Sequence, residues 1–363
     1  MKGKEIKVKT ACFTYRVIIE KNLFRDVGKT LRMLFPSTRA LLVSDTKVFS
    51  IYGREVLESL ESEKWQVETV IIRPGERSKS LAGASRIYDA ALGAELDRNS
   101  PAIALGGGVV GDLAGFAAST FMRGLPLVML PTSLLAQVDS CVGGKVAVNH
   151  PRGKNLIGST YPPRIVLIDP DTLKTLDSRQ IKAGLAEVIK YGIIINVDFF
   201  NWLENNLDYL LQGDSSSLAE AIYVSLKAKA LVVEEDEYET DYRRILNFGH
   251  TIGHALEAAT SYRHYLHGEA VLTGMAAATH LAGELKIITE VDLARILNII
   301  DRVGVKMPPA GLTAAAVIDK LRQDKKRQGD DLIFVLPTAI GRVKMVPLNS
   351  RQLIEKAVSI YLG

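Results

Sequence analysis

The chain has 363 residues, of which 47% are apolar and 24% charged, and its formal net charge is +4 at pH 7. This composition excludes a disordered chain, and the length predicts two domains. So small a positive charge suits a small anionic substrate better than nucleic acid, which usually needs a basic stripe. Because no apolar run is long enough to span a bilayer, we expect no membrane partner either.

The two cysteines, Cys12 and Cys141, are too few for a disulfide framework. The first ten residues lack the apolar segment of a signal peptide. Both features predict a cytoplasmic protein.

In the first half of the chain, short apolar runs alternate with helical patterns. The helical patterns cover 81–96 and 111–122. The runs are rich in Val, Ile and Leu, and they are 40–44, 67–72, 101–105, 127–130 and 164–168. This order predicts a parallel sheet with helices on both faces.

The pattern changes near residue 177, where helical periodicity takes over. The predicted helices are 177–192, 198–211, 216–237, 247–260, 268–285, 290–303 and 313–322. Strand patterns return only at 332–336 and 343–346. We therefore predict an α/β domain over 1–176 and a mainly α-helical domain over 177–363.

Four of the six histidines lie between His250 and His267. His250 and His254 are four residues apart, so they share one face of a helix, and His267 follows a loop beside Glu269. Imidazoles gathered near carboxylates are typical of a zinc site. Histidines that only satisfy core hydrogen bonds are the alternative, but the size of the cluster favours a metal or catalytic site.

The segment Gly106–Gly111 (GGGVVG) follows a predicted strand and opens a predicted helix, which fits the G-x-G-x-x-G pattern of dinucleotide sites. The next strand leads into Pro131, Thr132 and Ser133, with no acid to bind a ribose. A plain tight turn is the alternative. We favour a dinucleotide site of unusual layout.

Several basic residues lie among glycines or near carboxylates. Lys145, Lys154 and Asn155 could hold phosphate or carboxylate groups, and Asp139 could orient a hydroxyl. The loop containing Gly75, Glu76 and Lys79 follows another strand, where ligands of open α/β sheets bind.

Glu187 and Lys190 share a helix face, either as an ordinary ion pair or as a metal ligand with a neighbouring lysine. Arg243 lies seven residues before His250, and Lys229 lies upstream on the preceding helix. These two cations could bind a phosphate or carboxylate beside the histidines.

Six segments together resemble the 3-dehydroquinate synthase family of the sugar-phosphate cyclase superfamily, in order and over nearly the whole chain. They are LGGGVVGDLAGFAASTFMRG (105–124), PTSLLAQVDSCVGGK (131–145), GKN (153–155), AEVIK (186–190), RRILNFGHTIGH (243–254) and LHGE (266–269). Small departures, such as Asp241 and Phe121, fall outside the residues that we assign to chemistry.

The resemblance implies a lyase of the shikimate pathway to aromatic amino acids. Its substrate would be 3-deoxy-D-arabino-heptulosonate 7-phosphate, converted to 3-dehydroquinate and phosphate by NAD-mediated transient oxidation, phosphate elimination, re-reduction and aldol cyclisation. It further implies a Rossmann-like NAD-binding domain, a helical domain for metal and substrate, a divalent metal (zinc, or cobalt) and a homodimer.

The resemblance also assigns residues. Glu187, His250 and His267 match metal ligands, and His254 matches a substrate contact, which revises the expectation that His250 and His254 are the ligand pair. Arg123 matches a residue that reaches across the dimer into the other site. The remaining substrate positions are Asp139, Lys145, Asn155, Lys190, Lys229, Arg243, Asn247 and Lys325, with Lys326 as an alternative to Lys325. The nucleotide positions are Asp45, Glu76, Lys79, Gly107, Gly108, Asp112, Thr132, Ser133, Lys145 and Lys154.

Three other functions are compatible with the same patterns. One is a sibling sugar-phosphate cyclase acting on a different sugar. Another is a metal-dependent alcohol dehydrogenase of the glycerol-dehydrogenase type. The last is a non-catalytic binding protein with the same fold, which the complete set of candidate ligands and lysines disfavours.

Overall fold

A computed structural model of the chain describes residues 3–328 and 332–362, without the side chains of 323–328. The described residues form two compact units. The first comprises the chain up to Leu176 together with Leu218–Tyr238, and the second comprises Asp177–Ser217 together with the chain from Glu239 onward.

A seven-stranded sheet forms the centre of the first unit, in the order β1-β2-β9-β6-β5-β3-β4. All neighbouring strands are parallel except β1 and β2. The strands of this unit are β1 (Lys4–Lys9), β2 (Thr14–Ile19), β3 (Arg39–Asp45), β4 (Gln66–Ile72), β5 (Ala102–Gly106), β6 (Leu127–Pro131), β7 (Lys145–His150), β8 (Gly153–Thr160) and β9 (Ile165–Ile168). Strands β5, β6 and β9 are buried along their whole length, which explains their unbroken apolar sequences.

Helices pack against this sheet. They are α1 (Val27–Leu34), α2 (Thr46–Val48), α3 (Arg54–Ser62), α4 (Leu81–Gly93), α5 (Gly108–Thr120) and most of α8 (Ser215–Glu235). One apolar cluster joins α1 and α3 to the central strands and includes Phe24, Leu31, Leu42 and Leu60. The predicted parallel sheet with helical connections is thus confirmed.

The helix α8 is grouped differently from the sequence-based expectation, which assigns 216–237 to the second domain. In the structure, Leu218–Tyr238 belongs to the first unit. The backbone N–H of Lys9 donates to Glu234 Oε1 at 2.9 Å, and that of Ala11 donates to Glu237 Oε2 at 2.7 Å. Helical periodicity describes only a helix's own faces, so it does not reveal which sheet edge accepts the helix.

The strands β7 and β8 form a separate antiparallel hairpin. No strand is predicted from the sequence in this stretch. Val146 and Val148 are buried and alternate with less buried neighbours, as in a strand with one covered face. The run is short and closely flanked by glycines, so the period of two is hard to recognise in the sequence.

The second unit is mainly helical, as predicted. Its helices are α6 (Ser178–Ile195), α7 (Val197–Leu211), α9 (His250–Ala259), α10 (His267–Glu284), α11 (Glu290–Val303), α12 (Ala314–Gln328) and α13 (Arg351–Ser359). One antiparallel pair, β10 (Ile333–Ala339) and β11 (Arg342–Pro347), accompanies them. Helices α6 and α10 are buried on almost all sides, so they form the centre of this unit.

Glycines let the backbones in this centre approach closely. A Cβ at Gly274 of α10 would lie 2.0 Å from the carbonyl oxygen of Gly249, just before α9. A Cβ at Gly268 of α10 would lie 1.8 Å from the carbonyl oxygen of Ala183 in α6. The N-terminus of α10 is therefore held directly against both α9 and α6.

No helix in the described residues combines the length and apolarity needed to cross a membrane.

We expect Gly268→Ala to destabilise the protein by about 1–3 kcal/mol, because the added methyl group must displace the backbone of α6 or α10. Gly93→Ala is the matched control, since no atom lies within 4 Å of a Cβ at Gly93. Urea unfolding followed by circular dichroism measures both changes. Equal midpoints for the two variants would contradict the close packing.

Candidate functional site

A buried carboxylate lies at the centre of the second unit. Glu187, in the middle of α6, has no exposed surface, and neither of its carboxylate oxygens accepts a hydrogen bond. The ammonium of Lys190, one turn later, pairs with Oε2. A buried carboxylate normally needs several compensating contacts, so the lack of hydrogen bonds marks a site built for another partner.

His250 is the first residue of α9 and faces this carboxylate. Its Nδ1 lies 3.2 Å from the carbonyl oxygen of Phe248, which can only accept, so Nδ1 carries the proton. The lone pair of the neutral ring is then on Nε2, which lies 3.6 Å from Glu187 Oε1. Burial and the charge of Lys190 lower the pKa of His250, so the ring is neutral, the form that binds metal.

His267 is the first residue of α10 and faces the same oxygen. Its Nδ1 lies 3.1 Å from Oε2 of Glu257. Its Nε2 lies 3.9 Å from Glu187 Oε1. Both histidines thus direct Nε2 at one carboxylate oxygen, with Nδ1 held by a separate acceptor.

The third imidazole of this cluster belongs to His254. Ligand nitrogens of His250, His254 and His267 all lie within 4.8 Å of one another. The His254 ring centroid is 5.4 Å from that of His250 and 5.7 Å from that of His267, and its residue is exposed. Imidazoles with a carboxylate fit a divalent ion such as zinc, and Glu187, whose oxygens accept no hydrogen bond, is the observation that supports this fit.

Two more predicted residues lie in the short helical turn Tyr242–Asn247. Arg243 is buried there, and the side-chain amide of Asn247 donates to Glu239 Oε1 at 2.8 Å. Glu239 is a residue that sequence analysis misses. It lies outside any helix or strand, so no periodicity in the sequence points to it.

A clamp of polar contacts holds the loop before His267. Arg179 contacts both oxygens of Glu269, at 2.6 and 2.8 Å, and also donates to the carbonyl of His264. Glu269 in turn accepts from the backbone N–H of Leu266 at 2.8 Å. Burial by itself raises the pKa of Glu269, but these hydrogen bonds outweigh it and lower the pKa.

The glycine segment of the first unit lies where the sequence predicts, between β5 and α5. Gly107 is the N-cap of α5. A Cβ at Gly107 would lie 3.3 Å from Ser133 Oγ, and one at Gly108 would lie 3.4 Å from Ser140 Oγ. The absence of side chains leaves the helix N-terminus open to a phosphate, so the segment fits the predicted nucleotide.

A polar network joins further predicted nucleotide residues. The buried ammonium of Lys79 donates to Asp112 and to Asn155. Burial raises the pKa of Asp112, against the opposing effect of Lys79. Asn149, which sequence analysis leaves without a role, donates to Glu76 Oε1 at 2.8 Å and accepts from the N–H of Asn155 at 3.0 Å.

Two residues predicted separately for the substrate, Asp139 and Lys229, contact each other in the first unit. Lys229 Nζ donates to the carbonyl oxygen of Asp139 at 2.6 Å and to its Oδ1 at 2.7 Å. The neighbouring Cys141 is buried, and burial raises the pKa of its thiol to about 12, so it is not a nucleophile.

The other predicted residues have simpler positions. Asp45 caps α2 at the end of β3, and Thr132 and Ser133 follow β6. Lys145 begins β7, and Lys154 lies in β8. Lys325 and Lys326 fall within α12, but their side chains lie outside the described residues.

Arg123 is exposed and has an unusual backbone. Its φ is +67°, and that of the preceding Met122 is +49°. Two successive non-glycine residues in the left-handed region are strained, and such strain is commonly retained at functional positions.

The family models for 3-dehydroquinate synthase match the chain in two adjacent parts, the N-terminal model over residues 69–183 and the C-terminal model over residues 184–327. A 3-dehydroquinate synthase of Pelotomaculum thermopropionicum is 50% identical over 330 residues, which cover 91% of this chain and 89% of the relative.

Two solved sugar-phosphate cyclases have similar structures. The 2-epi-5-epi-valiolone synthase of Streptomyces hygroscopicus subsp. jinggangensis, solved with NAD⁺ and Zn²⁺, has a TM-score of 0.87 at 28% identity and covers 95% of each chain. A 2-deoxy-scyllo-inosose synthase, solved with carbaglucose-6-phosphate, NAD⁺ and Co²⁺, has a TM-score of 0.89 at 26% identity, over 99% of this chain and 100% of the other.

These matches confirm the predicted fold class and the predicted family. The two family models cover well over half of the chain, and the curated relative is similar along nearly all of it. The chain is an enzyme that belongs to the 3-dehydroquinate synthase family.

Proposed function

We propose that the chain converts 3-deoxy-D-arabino-heptulosonate 7-phosphate into 3-dehydroquinate and phosphate, with NAD and a divalent metal as cofactors. The observation that carries the proposal is the convergence of His250 Nε2 and His267 Nε2 on Glu187 Oε1, at 3.6 and 3.9 Å. The relatives of this chain are 3-dehydroquinate synthases, which supports the same function for this set of donor atoms.

Glu187, His250 and His267 would hold the metal, and we propose zinc as the ion because nitrogen and carboxylate donors suit it. When bound, it supplies a Lewis acid for oxygens of the substrate. Lys190 pairs with Oε2 of Glu187, which leaves Oε1 directed at the two imidazoles. We assign His254, the exposed member of the cluster, to the substrate rather than to the metal, as the family resemblance implies.

When bound, NAD would supply a reversible hydride acceptor for a substrate alcohol, and this transient oxidation would acidify the adjacent C–H. The glycines Gly107 and Gly108 and the N-terminus of α5 bind its phosphates. The other nucleotide contacts are Asp45, Glu76, Lys79, Asp112, Thr132, Ser133, Lys145 and Lys154.

The substrate carries a phosphate and a carboxylate, so its site needs fixed cations. Arg243 binds one of these groups, because a buried guanidinium offers two parallel donors to an oxyanion. Asn247 orients a hydroxyl, with its amide held by Glu239. His254 exchanges a proton with a reacting hydroxyl of the substrate.

The remaining substrate residues are also cations or hydrogen-bonding groups. Lys190 and Lys229 are held against acids, which prevents them from swinging into solvent. Besides Arg243, Asn247 and His254, the proposed substrate residues are Asp139, Lys145, Asn155, Lys190, Lys229 and Lys325.

We propose that the enzyme works as a homodimer in the cytoplasm. Both cysteines are free thiols, as in a reducing compartment. Met122, which directly precedes Arg123, has an exposed apolar side chain, which supports a subunit contact there.

The direct test is incubation with the heptulosonate phosphate and a catalytic amount of NAD⁺. We expect equal amounts of phosphate and 3-dehydroquinate, with no accumulated NADH, because the hydride returns within each turnover. Phosphate is measured colorimetrically, the product by mass spectrometry and NADH by absorbance.

The same test separates the rival functions. Net NADH formation with a polyol and no phosphate release would indicate a dehydrogenase of the glycerol type. Phosphate release only from a different sugar phosphate would indicate a sibling cyclase. A chain that binds no divalent ion and releases no phosphate would be a non-catalytic relative.

Substitution of the histidines tests the ligand assignment. We expect His250→Ala to abolish phosphate release and metal binding, since the three-ligand site cannot close. We expect His254→Ala to retain the metal but lose activity by roughly 10²–10⁴-fold, the usual contribution of a proton-transfer group. Metal content is measured by mass spectrometry of the purified variants. If His254→Ala loses the metal and His250→Ala keeps it, then His254 is the ligand and His250 contacts the substrate.

Mixing of variants tests the role of Arg123 across the dimer. Arg123→Ala and His254→Ala should each be inactive, but heterodimers contain one intact site. After unfolding and refolding together, the mixture should therefore recover about a quarter of the wild-type activity. No recovery in a mixture that forms dimers would show that Arg123 does not act in the partner's site.

A further inference from the structure

We propose that Glu257 is a positioning residue that fixes His267 and strengthens its bond to the metal. The proposal rests on the proposed function, because it concerns one ligand of that metal site. Neither the sequence patterns nor the family resemblance assigns a role to Glu257.

The contact is specific and buried. Glu257 is 5% exposed, and its Oε2 lies 3.1 Å from His267 Nδ1. A carboxylate at this nitrogen holds the proton there and leaves the lone pair on Nε2. That nitrogen is the one that faces Glu187, at 3.9 Å from Oε1.

The two histidines are supported in different ways. His250 is held by the neutral backbone carbonyl of Phe248, whereas His267 is held by a carboxylate. The side chain of His267 is also more exposed, 33% against 13% for His250. Packing therefore restrains the ring of His267 less, and a strong acceptor is needed to orient it.

A buried negative charge next to a ligand also changes the electrostatics of the site. The carboxylate draws positive charge onto the imidazole and makes Nε2 a better donor to a cation. Taking Glu257 out of water costs free energy, and a bound cation beyond the ring offsets that cost.

The helix α9 delivers this carboxylate together with the histidines. Glu257 follows His254 by three residues and His250 by seven, so all three lie on one face of α9. The close packing of α9 against the start of α10 then brings Glu257 to His267. One helix thus provides a ligand, a substrate contact and the support for the second ligand.

The experiment compares Glu257→Ala, Glu257→Gln and Glu257→Asp with wild type. Glu284→Gln is the control, because Glu284 is an exposed acid at the opposite end of α10 from His267. Its carboxylate pairs with Lys356 at 2.9 Å. Zn²⁺ dissociation constants are measured by chelator competition on the metal-free proteins. The absorption spectrum of the Co²⁺ form reports the geometry of the site.

We expect Glu257→Ala to weaken Zn²⁺ binding by roughly 10–100-fold, the usual effect of losing such a support. Glu257→Gln keeps an acceptor without the charge, so it should weaken binding less and preserve the Co²⁺ spectrum. Glu257→Asp should restore part of the affinity, and Glu284→Gln should bind as wild type does. A purely structural role would lower the melting temperature of the metal-free protein without changing these constants.

Unchanged Zn²⁺ affinity in folded Glu257→Ala and Glu257→Gln would overturn the proposal. If Glu257→Ala does not fold, Glu257→Gln decides the question. Failure of the proposed function looks different: wild type would then bind no Zn²⁺, or His267→Ala would bind it as tightly as wild type. Tight binding that His267→Ala abolishes and the Glu257 variants leave intact would refute the role of Glu257 alone.

Discussion

The buried carboxylate of Glu187 is the constraint on which the second unit depends. A carboxylate without exposed surface is costly unless charges compensate it, and here Lys190 pairs with one oxygen while two imidazoles face the other. That arrangement requires α9 and α10 to begin beside the middle of α6. The close approach of Gly268 to α6 satisfies this requirement, since any side chain there would separate the two helices.

The burial of basic side chains is a second constraint in the described residues. Only four basic side chains there are buried, and each belongs to the predicted sites: Lys79, Lys190, Lys229 and Arg243. The three lysines pair with acids, in the pairs Lys79–Asp112, Lys190–Glu187 and Lys229–Asp139. Because burial of a lysine or arginine is unfavourable, such residues are seldom retained for stability. An anionic substrate and an anionic cofactor explain why a chain with a net charge of only +4 places cations inside.

Much of the fold could be predicted from the sequence, because each of its signals is local. Buried parallel strands appear as unbroken Val, Ile and Leu runs, and the five predicted strands correspond to β3, β4, β5, β6 and β9. Except for α13, the helices of the second half were recognisable from their period. The hairpin β7–β8 and the grouping of α8 were not, since a short glycine-flanked strand has little pattern and a helix's period does not name the surface that it packs on.

The sequence by itself determined the family, the glycine segment at a helix N-terminus and the presence of clustered histidines, because these depend on residue type and spacing. Residue spacing left open whether Glu187 only pairs with Lys190, and the family resemblance implied that it shares a metal with His250 and His267. Only the tertiary structure decided that Glu187 and His250, sixty-three positions apart, come within 3.6 Å. It also decided which acceptor holds each Nδ1, and that Glu257 and Glu239 belong to the site. The physical reason is range: helix and strand periods relate residues within one element, whereas contacts between elements follow from the packing of the whole unit.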